Sequence, residues 1–370
     1  MKKYVLQISA TFCLLSYPLF SQNYTGKIGV NFGEAEYVNI VKQTNRLNYL
    51  NGTGQLADAS FDANMWPKCD FNIIWDWRPV AEWNGKITDI DDPEKYRIDY
   101  SGVYKGSFNG LAELVDGEHH DGVWTFQNIQ YDTVKNKTTF EINVSAPGPH
   151  HGLIFINFTK TRRTVASDTN TGITNFKLIR PGYDTASTQV FIDDIYSALN
   201  LASFATIRAM SLTGTAHEMK KVYPDTTGWN SRKTLSIPYW GGKIGKYADA
   251  APWEVFIDLC NQADMNMWIN IPISATNDYM VQLAKLIKAR LNSNLNVYVE
   301  IDNEVWGFEN PKNYNQSEAV AMKITAAQNY ARRAYMAAKA FEGVFGTGTL
   351  NNRIKVGLMW WYVAVSYTHL

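Results

Sequence analysis

Asn303, Glu304 and Trp306 set an amide, a carboxyl group and an indole close together, immediately after residues 296–302 (NVYVEID). That run has the period of two of a strand, with Val297, Val299 and Ile301 on one side and Tyr298, Glu300 and Asp302 on the other. Amphipathic helix patterns flank it, 278–291 before and the Ala-rich 317–345 after, which makes it one strand of a βα series. In a (β/α) barrel the apolar side packs on the helices and the polar side points inward. Catalytic groups sit at the carboxyl ends of the strands, where Asn303 and Glu304 fall. The position suits a catalytic acid.

Other side chains could share that end. Residues 204–210 (FATIRAM) read as a strand with Thr206, Arg208 and Met210 on one face. A buried arginine must find a carboxylate, and an ion pair with Glu300 or Asp302 is open to it. The strand 265–271 turns Trp268 and Asn270 inward, and the long loop 212–245 carries Trp229, Tyr239 and Trp240. These aromatics are candidates for stacking on a sugar ring, and each would serve as well in core or lid packing.

Strand, then Asn-Glu, then an aromatic residue resembles the fourth-strand signature of the retaining glycoside hydrolases of clan A, the cellulase-like barrel superfamily. Counting strand starts at 27, 204, 265 and 296 makes this strand the fourth without using the motif. The resemblance spans about 191–359, with a weaker start at Lys27. It implies a partial (β/α) TIM barrel that hydrolyses β-linked poly- or oligosaccharides. Glu304 would be the general acid/base, Asn303 the contact to the sugar 2-hydroxyl, and Arg208 the residue that orients the nucleophile. Trp306, Trp268, Asn270, Trp229, Trp240 and Tyr239 complete the candidate substrate contacts. No metal or cofactor is expected. Two other classes compete: a carbohydrate-binding or adhesion protein with an inert barrel, and a structural surface protein with no sugar site.

Composition limits the partners. Lys and Arg total 35, as do Asp and Glu, so no net field draws the chain to nucleic acid or anionic lipid. Aromatic residues make up 14% of the chain, with 12 Trp and 21 Tyr, a supply suited to sugar stacking and equally to a large core. Met1-Lys2-Lys3 followed by an apolar run to Phe20 reads as a secretory leader over 1–22, and no lipid-attachment box surrounds Cys13. An exported chain is the expectation, secreted, periplasmic or on the cell surface. No later run reaches the ~20 apolar residues of a membrane span. Cys69 and Cys260 could pair in an oxidising compartment, although Cys260 falls in a helix pattern where a free thiol is usually core.

The rest of the chain divides by texture. Residues 23–98 are expected to hold the first barrel βα unit, with a helix over 36–47, and a decorated loop bearing Trp66, Trp75, Trp77 and Trp83. Short alternating runs over 99–182 predict an inserted antiparallel β-sandwich with Phe140, Ile142 and Val144 on one face. The His119-His120 and His150-His151 pairs fall in its turns, where adjacent histidines rarely share a metal. Residues 183–364 are expected to supply barrel units two to five. The last six residues (VSYTHL, 365–370) look like a translated library adapter, so a truncated reading frame is expected, inactive as it stands and lacking the later strand that carries the nucleophile.

Overall fold

The computed structural model describes residues 28–33, 36–44, 46–75, 102–116, 124–144, 154–201, 204–215, 228–242, 244–245, 250–307 and 309–359. The expected leader, both histidine pairs, Trp77, Trp83 and the segment 365–370 lie outside these residues.

In chain order the strands begin with β1 (Ile28–Asn31), β2 (Arg46–Asn48), β3 (Phe71–Trp75), β4 (Gly102–Asn109) and β5 (Leu111–Asp116). They continue with β6 (Trp124–Asp132), β7 (Lys137–Val144), β8 (Ile154–Arg162) and β9 (Thr174–Ile179). Helices then alternate with strands: α1 (Asp193–Asn200), β10 (Phe204–Arg208), α2 (Trp253–Ala263), β11 (Asn266–Ile271), α3 (Asn277–Arg290) and β12 (Val297–Ile301). Last come α4 (Glu309–Met322), α5 (Ala326–Phe345) and β13 (Ile354–Val356). The fold is mixed α/β, with one parallel sheet and two antiparallel ones among the described residues.

Two compact units account for the chain. The first comprises Met1–Ala35, Asp193–Thr234 and Ala250–Leu370, and its five-stranded sheet runs β1-β10-β11-β12-β13 with every pairing parallel. Spatial neighbours are also neighbours in the series, as a chain of βα crossovers that each step one strand along the sheet produces. Met267, Ile269 and Ile271 of β11 and Val297, Val299 and Ile301 of β12 are fully buried on the apolar side. In α3, Tyr279, Met280, Leu283, Ala284 and Ile287 form the buried stripe, and α3 packs on α5. The Thr276 hydroxyl accepts the Tyr279 N–H and starts that helix.

The second unit comprises Glu36–Ile192 and Leu235–Asp249, with antiparallel sheets ordered β2-β3-β8-β5 and β6-β7-β4-β9. In β7 the buried side chains alternate as Thr138, Phe140, Ile142 and Val144, as the pattern predicts. Phe158 of one sheet stacks on Phe71 at 4.8 Å and meets Phe108 and Phe176 of the other edge-on, at 5.7 and 5.1 Å. Both sheets therefore bury one shared aromatic core. Gly106 permits this, because a Cβ there would lie 2.1 Å from the Phe140 ring.

Several expectations change. The helix predicted over 36–47 is a single 3-10 turn, Ile40–Gln43, followed by β2. Tyr37, Val38, Ile40, Val41, Gln43 and Thr44 are all buried, so the segment has no solvent face for an amphipathic helix. The Asn39 side chain instead accepts from Val41 N–H and Leu178 N–H and ties the turn to β9. Residues 50–92 are not merely loop, since β3 lies centrally in an antiparallel sheet. The insertion accordingly starts at Glu36 rather than 99, and α1 is the helix that joins β1 to β10. It interrupts the first βα connection instead of following it. The single helix predicted over 317–345 is two, broken at Lys323 (φ 57°), and α5 opens on a capping box between Thr325 and Gln328. Cys69 and Cys260 are free thiols, Cys260 buried in α2 with its pKa pushed well up by that burial.

Candidate active site

The polar face of the parallel sheet is organised by register. Arg208, Trp268, Tyr298 and Lys355 are successive partners across β10, β11, β12 and β13. Trp268 stacks on Tyr298 at 5.7 Å, Arg208 lies 5.6 Å from the Trp268 ring centre, and Lys355 lies 5.2 Å from that of Tyr298. Cations at both ends of an aromatic pair are favourable because the ring faces are electron-rich.

One layer further along the strands, Asn270 pairs in register with Glu300. Arg208 grips Glu300 with two nitrogens: Nε donates to Oε2 at 3.0 Å and Nη2 to Oε1 and Oε2 at 3.1 and 2.9 Å. Trp268 Nε1 adds a bond to Oε2 at 2.9 Å. The Glu300 side chain is only 4% exposed, against 16% for Arg208. Burial pushes the Glu300 carboxyl above its ordinary range, while Arg208, Trp268 and Asn270 oppose that shift. A buried charge in this setting depends on its partner, and two-pronged guanidinium contact is the geometry that best offsets the lost hydration.

Beyond Ile301 the backbone turns sharply. Asp302 (φ 55°) and Glu304 (φ 47°) are both left-handed, on either side of Asn303. Neither is glycine, and Glu is a poor occupant of that region, so the turn stores strain that its surroundings must hold. They do so through Asp302, buried at 1% exposure. Its Oδ1 accepts Asn303 N–H at 2.8 Å and its Oδ2 accepts Ile273 N–H at 2.9 Å. The Asp302 carbonyl accepts from Asn270 Nδ2 at 2.7 Å, and its N–H reaches the Ile271 carbonyl at 2.7 Å. Asn303 is buried and its Oδ1 accepts from Arg208 Nη2 at 2.9 Å, whereas Glu304 is exposed.

The residues singled out in the sequence separate into two groups. Arg208, Trp268, Asn270, Asn303 and Glu304 come together at the carboxyl end of β10, β11 and β12, and Trp306 is half-buried just beyond. Within that group Trp268 is half-buried, with Tyr298 stacked on it and Arg208 near its ring, and its indole N–H supports Glu300. Arg208 makes the ion pair with Glu300, and its Nη1 faces Met210 Sδ at 3.0 Å.

The other group leaves the site. Tyr239 and Trp240 belong to the second unit, both buried: Tyr239 meets Trp66 edge-on at 5.8 Å and Trp240 meets Tyr37 at 5.3 Å. They are packing residues, a correction to their expected place on a sugar-binding loop. Trp229 stays in the first unit, with the Arg232 guanidinium 4.0 Å from its ring centre and Tyr279 edge-on at 5.3 Å.

Sequence reasoning passed over Asp302 as a clamp, although an Asp just before Asn-Glu is a turn-former by type. It also passed over Tyr330 of α5, whose hydroxyl accepts Met359 N–H at 3.3 Å and whose pKa rises through burial and then through the charges of Glu300 and Asp302. Nothing in the α5 pattern separates that tyrosine from ordinary core. Among the described residues no group of three or more His, Cys, Asp or Glu side chains could hold a metal ion, and no helix is long and apolar enough to cross a membrane. Comparison with protein-family models, curated proteins and solved structures found no match to this chain.

Proposed function

We propose that this chain carries the acid/base side of a secreted, retaining glycoside hydrolase acting on β-linked glycans, built on a partial (β/α) barrel with a β-sandwich inserted in its first βα connection. The observation that carries the reading is the placement of Asn303 and Glu304 in a strained, clamped turn at the carboxyl end of the fourth strand of a consecutive parallel series. Strain held at a strand end is a feature of functional sites, because a relaxed turn would aim the side chain elsewhere. In this reading Glu304 protonates the departing glycosidic oxygen and Asn303 binds the neighbouring 2-hydroxyl. Retention needs a second carboxylate about 5 to 5.5 Å away. Neither Glu300 nor Asp302 serves, the first being held by Arg208 and Trp268 and the second by two backbone N–H groups.

The exposure of Glu304 favours one competitor, a protein that binds glycan without cleaving it. An N-bromoacetyl β-glycosylamine, which alkylates a carboxylate lying where the leaving group departs, separates the two. The hydrolase reading expects this label on Glu304, located by peptide mass spectrometry and suppressed by excess oligosaccharide. Saturable glycan binding with Glu304 unlabelled would establish the binding protein instead.

A further inference from the structure

The amide of Asn303 has two ends of opposite hydrogen-bonding character, and its neighbours decide which one a ligand meets. Its Oδ1 lies 2.9 Å from Arg208 Nη2. A guanidinium has donors only, so an oxygen must face it. Turning the amide over would exchange a charge-assisted bond for two donors in opposition, disfavouring that form by at least about tenfold. The guanidinium is itself fixed: Nε and Nη2 grip Glu300, Nη1 faces Met210 Sδ, and Trp268 binds the same carboxylate.

We propose that Glu300 and Arg208 are positioning residues for Asn303, holding its carbonyl inward so that its NH2 is the group offered to the ligand, and that this pair thereby sets selection for a sugar bearing a 2-oxygen. The proposal rests on the glycan reading given above, and it gives Arg208 a task other than orienting a nucleophile. Glu300 becomes the residue on which selection depends without touching the ligand. Removing its charge would free the guanidinium to swing, and the amide would lose its preferred face.

The test is calorimetric, on the full chain, with aryl β-glucoside, β-galactoside and β-xyloside and the 2-deoxy counterpart of each. Wild type should bind at least one parent glycoside about fivefold to tenfold more tightly than its 2-deoxy form, the worth of one neutral hydrogen bond. That ratio should fall to near one in Asn303→Ala, and equally in Glu300→Gln and Arg208→Lys. Ratios preserved in Glu300→Gln and Arg208→Lys, but lost in Asn303→Ala, would overturn the positioning role and leave the glycan reading intact. Binding of none of the glycosides would overturn both. A readout on wild type alone covers variants that do not fold: the Asn303 side-chain NH2 resonance should move with the parent glycoside and stay in place with the 2-deoxy form, and equal movement would refute the proposal.

Discussion

The Asp302 carboxylate accepts the Ile273 N–H at 2.9 Å, so the turn beyond β12 and the turn beyond β11 are held by one side chain. A second oxygen of the same group takes the Asn303 N–H. Asp302→Ala should strand both donors in a buried setting and destabilise the first unit by about 2 to 3 kcal/mol. Labelling of Glu304 by the bromoacetyl glycosylamine should fall with it, because the turn would relax. Urea midpoints and label yield read the two effects, and an unchanged midpoint would show that the clamp carries no energy.

Glu304 offers a direct measure of strain. At an ordinary position Gly is less stable than Ala, since it has more conformational freedom to lose. With φ at 47°, the order should invert, Glu304→Gly exceeding Glu304→Ala by about 1 kcal/mol in unfolding free energy. Both variants should lose the label. If Gly is the less stable of the two, the left-handed turn is relaxed in solution.

Stability should respond to pH from both sides. The folded chain holds the Glu300 proton more tightly than the unfolded chain does, so stability from this group is present below the ordinary glutamate value and lost as pH rises through the raised one. Glu318 is the converse. Burial alone would raise it, but hydrogen bonds from Arg333 and Asn329 and the charges of Arg333 and Arg332 leave it lowered, so its contribution is lost as pH falls through the lowered value. Urea midpoints across about pH 3 to 8 should therefore lose part of their upper descent in Glu300→Gln and part of their lower descent in Glu318→Gln. Identical profiles for the two variants would contradict the assignment.

The break between α4 and α5 depends on a named cap. Thr325→Ala removes the acceptor for the Gln328 N–H and should cost about 1 kcal/mol, read by thermal unfolding. Thr325→Ser should cost little. An unaffected Ala variant would mean that packing of α5 on α3, not its cap, sets where the helix begins.

In the second unit Phe158 touches aromatic rings from both sheets. Phe158→Ala should cost about 3 to 5 kcal/mol, through lost transfer energy and an uncollapsed cavity. Near-ultraviolet circular dichroism together with urea unfolding measures it.

What could be read beforehand depended on period. Residues 296–302 alternate cleanly, and Val297, Val299 and Ile301 are indeed buried opposite Glu300. The consecutive parallel strands followed from the same kind of signal. Residues 36–47 misled because Tyr37, Val38, Ile40, Val41, Gln43 and Thr44 are all buried, and a segment buried nearly all round carries no face to define a period. Aromatic content misled in another way. Phe71, Phe108, Phe158 and Tyr239 fill a core, and composition counts rings without saying which way they point. The Thr325-Gln328 capping box was legible by spacing alone and marks the break that the Ala-rich run conceals. The Arg208–Asn303 contact was not, because it requires strands from distant parts of the chain to be placed in register.

Tyr239, Ile237 and Ile244 reach the second unit's core from Leu235–Asp249, a segment made after β10. A ribosome releases residues in order, at about 5 to 20 per second. The second unit's core thus lacks Ile237, Tyr239 and Ile244 when Ile192 emerges and is complete only once Ile244 has been made. Meanwhile β1, synthesised near the start, has no partner until β10 appears, since its register runs from Ile28 against Phe204. Two unfinished surfaces therefore coexist on the nascent chain until β10 is made, and that of the second unit stays open until Ile244, an interval that exposes it to capture by chaperones or to association with a neighbouring chain.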